Sequence, residues 1–122
     1  MLNLFCLINF LFGTDGFTET SGFTGNDYMR SETVRDMAKQ ADKVIIVTDS
    51  FKFLQKGVVT LIPTAEIACI VTDTHIPIEC ENYLLDHGIE VKKVEIKKAY
   101  FIVSFLEKTL DVFIDKNILI FF

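Results

Sequence analysis

Val44-Ile45-Ile46-Val47-Thr48-Asp49-Ser50 is a β-branched run that stops abruptly at polar residues. It is too short for a helix and apolar enough for a strand covered on both faces. Ile67 to Val71 repeats the pattern and stops at Thr72-Asp73, so two strands close on the same Val-Thr-Asp phrase. Upstream, Leu4 to Phe12 is apolar without alternation, as in a buried parallel strand, though periodicity alone also admits a short helix. Between these runs, Val34, Met37, Ala38 and Ala41 recur at the spacing of one helical face, with Ser31 placed to act as N-cap. Gly57 to Ile62 reads as a short strand stopped by Pro63. Pro77 suits the first turn of a helix and Gly88 its C′ position, which predicts a helix over Pro77 to His87. Ile89 to Ile96 is then a last strand, with Val91 and Val94 inward. The alternation of strand and helix predicts an α/β fold: a Rossmann-like parallel sheet with right-handed crossovers.

The chain of 122 residues fits one domain, and its 50% hydrophobic content supplies a core. A net charge of -5, with Lys and Arg scattered singly, leaves no basic stripe for nucleic acid. Cys6, Cys69 and Cys80 share no C-x-x-C spacing, which fits a reducing, cytoplasmic setting. His75 and His87 lie far from suitably spaced cysteines, so neither a metal site nor any cofactor is expected. Met1 to Phe12 lacks a basic start and a cleavage site, and is too short to span a bilayer. Lys97 to Phe122 changes character to Phe, Ile, Leu and Lys without glycine or proline; a helix is expected near Tyr100 to Leu110.

Gly13, Gly16, Gly22 and Gly25 crowd the segment that follows the first strand. Such a cluster reads as a binding loop because glycine lets backbone N–H groups approach a ligand, with Asp15 at its mouth. Ligands of parallel sheets bind beyond the strand carboxyl ends, where Asp15, Asp49 and Asp73 would share one rim. Asp73 is read as a turn former, whereas Asp15 can hold sugar hydroxyls. Lys52, three residues past Asp49, offers an ammonium, and Thr14, Thr18 and Thr24 offer hydroxyls. The ligand so described is small, anionic and polyhydroxylated. The plainer alternative makes Asp49 a strand stop and Lys52 a solvated lysine. No Ser-His-Asp or Cys-His arrangement is present, so catalysis is not expected.

The order of the phrases adds a family likeness. Gly13-Thr14-Asp15-Gly16-Phe17, Gly22-Phe23-Thr24-Gly25, Met29-Arg30, Val47-Thr48-Asp49-Ser50-Phe51-Lys52-Phe53 and Val71-Thr72-Asp73 together resemble the C-terminal sensor domain of DeoR-family bacterial transcription regulators, over about Phe10 to Val94. The resemblance implies the fold of ribose-phosphate isomerase and glucosamine-phosphate deaminase (the NagB/RpiA/CoA transferase-like type), without catalysis and with phosphorylated sugars as effectors. It implies that Asp15 and Gly16 line the sugar pocket and Lys52 faces the ligand, with Thr14 and Asp49 as further candidates. The deaminase relatives carry a histidine after Asp-Gly, and Phe17 stands there instead. The implied role is that of a repressor fragment, sensing a phosphorylated sugar or sugar alcohol for a carbohydrate-utilisation operon, with residues 1-96 a partial effector-binding domain and 97-122 an atypical tail. The family's winged helix-turn-helix, Gly-Ser-Thr phosphate loop and Thr-Asn strand end have no counterpart here. Direct DNA contact by this chain is therefore not expected, nor is a membrane partner, while pairing with further copies or with full-length subunits is. The alternative is a small sugar-phosphate isomerase or deaminase with Asp15 as general base and Lys52 as electrostatic stabiliser.

Overall fold

In chain order the elements are β1 (Asn9–Phe12), β2 (Gly16–Thr18), β3 (Gly22–Gly25), α1 (Tyr28–Lys39), β4 (Lys43–Val47), β5 (Val59–Ile62), β6 (Cys69–Asp73), α2 (Ile78–Asp86), β7 (Glu90–Val94) and β8 (Ile118–Phe121). They are seen in a computed structural model that describes residues 9–95 and the backbone of β8. The expected helix near Tyr100 to Leu110 lies outside the described residues.

The apolar runs form one parallel sheet in the order β7-β6-β4-β1-β8. Its middle strands lack alternation because both faces are buried. Phe10, Phe12, Val44, Ile46 and Ile70 join one cluster with Val34 and Ala38 of α1, Leu84 of α2, and Phe17, Phe23 and Leu61. Leu11, Ile45, Val47, Cys69 and Val71 form a second cluster of the intervening residues, on the opposite face. Val91 packs on the first cluster and Val94 on the second, so the two valines expected to point inward together serve different faces.

Two parts of the architecture differ from the sequence expectation. The Gly13 to Asn26 segment is not an open glycine loop: β2 and β3 form an antiparallel hairpin, and β3 pairs with β5 to complete a second, three-stranded sheet. Gly22 takes φ 78° where the hairpin turns. Gly16 and Gly57 are required by close packing: a Cβ on Gly16 would come within 2.7 Å of the Gln55 carbonyl oxygen, and one on Gly57 within 2.8 Å of the Gly25 carbonyl oxygen. These glycines let backbones meet. The second difference is β8, which pairs in parallel with β1 from Asn9↔Ile118 to Phe12↔Phe121 and makes β1 an interior strand. The charged outer edge at β7 is tied to α2 by Lys93 and Glu81, 3.0 Å apart.

Helix α1 starts earlier than its apolar face suggests. Asp27, not Ser31, is the N-cap, and its Oδ1 accepts from the Met29 and Arg30 N–H groups at 2.9 and 3.2 Å. Ser31 lies one turn in, fully buried against Gly25. Helix α2 follows the expectation, entered through Pro77 and left through Gly88 at φ 78°.

Candidate functional site

Because β1 and β4 are parallel neighbours, with Phe12 opposite Ile46, the chain leaves both at the same end of the sheet. Gly13-Thr14-Asp15 departs from one and Thr48-Asp49 from the other, followed by a 3-10 turn, Ser50–Leu54, that carries Lys52. Between them is a cleft of about 180 Å³, lined by Gly13, Thr14, Asp15, Arg30, Val47, Thr48, Asp49 and Lys52. Four of the five candidate residues, Thr14, Asp15, Asp49 and Lys52, thus meet at one place. Gly16 does not line it. It lies in β2, with its N–H directed to the Thr14 hydroxyl at 3.4 Å.

Each lining residue is held differently. The Thr14 hydroxyl is buried and lies 2.9 Å from both the Gly16 and Thr24 carbonyl oxygens, so it builds the wall of the cleft. Asp15 is fixed through its main chain, whose N–H donates to the Thr24 carbonyl at 3.0 Å, and through its side chain, whose Oδ2 accepts from the Asn26 N–H at 2.9 Å. A carboxylate has about four acceptor positions, so Asp15 keeps capacity for ligand hydroxyls. Asp49 stands at the N-cap position of the 3-10 turn in an extended conformation, yet its side chain makes no capping bond. Its Oδ1 is buried without a hydrogen-bond partner. A buried acceptor left unpaired is costly, and a donor brought by a ligand would satisfy it.

The other polar groups of this region are committed elsewhere. The Thr18 hydroxyl accepts from the Ser21 N–H at 2.9 Å and closes the hairpin turn, and the Thr24 hydroxyl accepts from the Gly57 N–H at 2.8 Å and ties β3 to the segment leading into β5. Asp73 is fully buried and its two oxygens accept from the Ser50 and His75 N–H groups at 2.6 and 2.8 Å, in keeping with its reading as a turn former. Arg30 was missed as a site residue. Its signal was Asp27, because a helix capped there brings Arg30 into the first turn beside the strand ends.

The cleft therefore sets two cations, Arg30 and Lys52, among two carboxylates, Asp15 and Asp49. That mixture suits a ligand with both an anionic group and hydroxyls. Neither cysteine among the described residues is an activated nucleophile: burial, with Glu90 nearby, pushes the Cys69 thiol up to about 11, and burial likewise raises the Cys80 thiol. Among the described residues, no group of three or more His, Cys, Asp and Glu could hold a metal ion. None of the described helices is long and apolar enough to cross a membrane.

Residues 1–74 match the family model of the DeoR C-terminal sensor domain. The chain belongs to that family. The match spans β1 to β6 and both walls of the cleft, with α2, β7 and β8 beyond it. No curated protein and no solved structure matches the chain. As a DeoR-family sensor domain it is part of a regulator that binds a small-molecule effector, a regulatory rather than a catalytic class.

Proposed function

We propose that the cleft between β1 and β4 binds a phosphorylated sugar or sugar alcohol, and that the chain is the sensing part of a DeoR-family repressor of a carbohydrate-utilisation operon. The observation that carries the reading is the unpartnered Asp49 Oδ1, buried in a cleft that Lys52 and Arg30 also line. A sugar hydroxyl supplies the missing donor, and the phosphate meets the cations. Ligand binding would shift the repressor between DNA-bound and released forms only as far as its affinities for the two forms differ. The ribose-phosphate isomerase type of fold, a cytoplasmic setting and pairing with further copies belong to the same reading.

Phe17 supports sensing over turnover. The residue after Asp15-Gly16 is a buried aromatic side chain, with ring centroids 4.8 Å from Phe23 and 5.5 Å from Phe53. It brings no proton-transfer group to the cleft. A thermal-shift screen tests the reading, since a ligand that binds only the folded chain raises its melting temperature with concentration. Hexose and hexitol phosphates should stabilise the chain, and the matching free sugars and inorganic phosphate should not. Equal stabilisation by free sugars would remove the phosphate from the account.

A further inference from the structure

The turn that carries Lys52 is held by a residue outside the cleft. Ser50 is its first residue, and the Ser50 N–H donates to Asp73 Oδ2 at 2.6 Å across the gap between β4 and β6. The second Asp73 oxygen is spent on the His75 N–H, so this fully buried carboxylate is engaged wholly by main-chain donors. The strands beneath run in step up to this point, with Val47 opposite Val71 and the Thr48 N–H donating to the Val71 carbonyl at 3.0 Å. Beyond Thr48 the ladder ends and the Asp73 carboxylate continues the cross-connection. Asp49 occupies the N-cap position without capping. Asp73 thus takes the first N–H of the turn, and the Asp49 carboxylate caps none of its N–H groups.

We propose that Asp73 is a positioning residue: it fixes the Ser50–Leu54 turn so that Asp49 and Lys52 face the cleft together. This deepens the effector-binding reading and rests on it for its functional consequence, while the structural hold can be read without any ligand.

Ser50→Pro is the sharpest test. Asp49 already has φ −74° and ψ 158°, the extended backbone a residue before proline adopts, and proline suits a first helical position. The substitution therefore removes the N–H donor and little else, whereas Ser50→Ala keeps it. Asp73→Asn, which weakens the acceptor, is the companion variant. Hydrogen exchange on the full chain reads the hold at the Lys52 and Gln55 amides, which donate within the turn to the Asp49 and Lys52 carbonyls at 3.3 and 3.1 Å. Their exchange should speed up about tenfold in Ser50→Pro and Asp73→Asn, stay at the wild-type rate in Ser50→Ala, and be unchanged throughout α1 in all three. Titration with glucose 6-phosphate, fructose 1-phosphate and glucitol 6-phosphate supplies the second readout. The probe that wild type binds should bind Ser50→Pro about tenfold more weakly and Ser50→Ala equally. Unchanged turn exchange in Ser50→Pro overturns the proposal, as does accelerated exchange with wild-type affinity. If wild type binds none of the three probes, the effector reading fails separately, and the exchange rates alone decide whether Asp73 holds the turn.

Discussion

Asp15 Oδ2 accepts the Asn26 backbone N–H at 2.9 Å, tying the mouth of the cleft to the residue just before the N-cap of α1. One carboxylate thus couples the end of β1 to the start of the helix that brings Arg30 to the same cleft. This bond adds to those that Thr14 and the Asp15 N–H make to the Thr24 carbonyl.

Asp15→Ala should separate binding from folding. The bond to Asn26 is exposed, so its loss should cost about 1 kcal/mol in a denaturant titration, while affinity for a sugar phosphate should fall at least about tenfold. Stability lost without any loss of affinity would make Asp15 a loop fastener only.

Phe17 belongs to the core. Truncation to alanine empties space shared with Phe23, Phe53 and Tyr83, and should cost about 3 to 5 kcal/mol in equilibrium unfolding. Phe17→His should also destabilise, and should not produce isomerase or deaminase turnover from amino-sugar or aldose phosphates. Measurable turnover in that variant would revive the enzymatic alternative.

The glycines should divide by cause. Gly57→Ala would press a Cβ to 2.8 Å from the Gly25 carbonyl oxygen and 2.7 Å from the Thr24 hydroxyl, an overpacking cost of about 1 to 3 kcal/mol. Gly88→Ala meets nothing within 4 Å but must hold φ 78°, which costs about 1 to 2 kcal/mol through the backbone alone. Circular dichroism melts should accordingly find both destabilised. Only Gly57→Ala should also disturb the amide signals of β3 and β5.

The hairpin glycines also explain what the sequence concealed. Runs such as Val44 to Val47 were legible because a strand buried on both faces must be apolar throughout. Strands β2 and β3 are only three and four residues long, rich in Gly and Thr, and are organised by distant partners in β5 and at Gln55. Their composition matches that of a binding loop, and only the close approach of Gly16 to Gln55 distinguishes the two. At the start of α1, Asp27 and Ser31 are both good capping residues; the apolar face beginning at Val34 favoured the wrong one. That shift of one turn hid Arg30. Pairing of β8 with β1 joins the far ends of the chain, which no local pattern encodes. Asp15, Asp49 and Lys52 were legible as a group because residues that end neighbouring parallel strands are brought together by topology alone.

Alkaline pH should weaken the fold through Cys69. The thiol has an ordinary value of 9.0 and is raised to about 11 by burial and then by Glu90. Below pH 9 folded and unfolded chains both keep the proton and nothing changes. Between pH 9 and 11 the unfolded chain ionises first, so stability falls as pH rises. Cys69→Ala lacks this contribution, and the stability difference between wild type and variant should shift in the variant's favour across that window. A difference that stays constant from pH 8 to 11 would show that the thiol is not desolvated.

Asp49 and Lys52 should bind one ligand from opposite chemical sides, as acceptor for a hydroxyl and as cation for a phosphate. Isothermal titration of wild type, Asp49→Asn and Lys52→Met with a hexitol phosphate and with its unphosphorylated hexitol tests it most directly. Wild type should bind the phosphate ester saturably, each variant at least about tenfold more weakly, and none of them the free hexitol. Undiminished binding by both variants would contradict it.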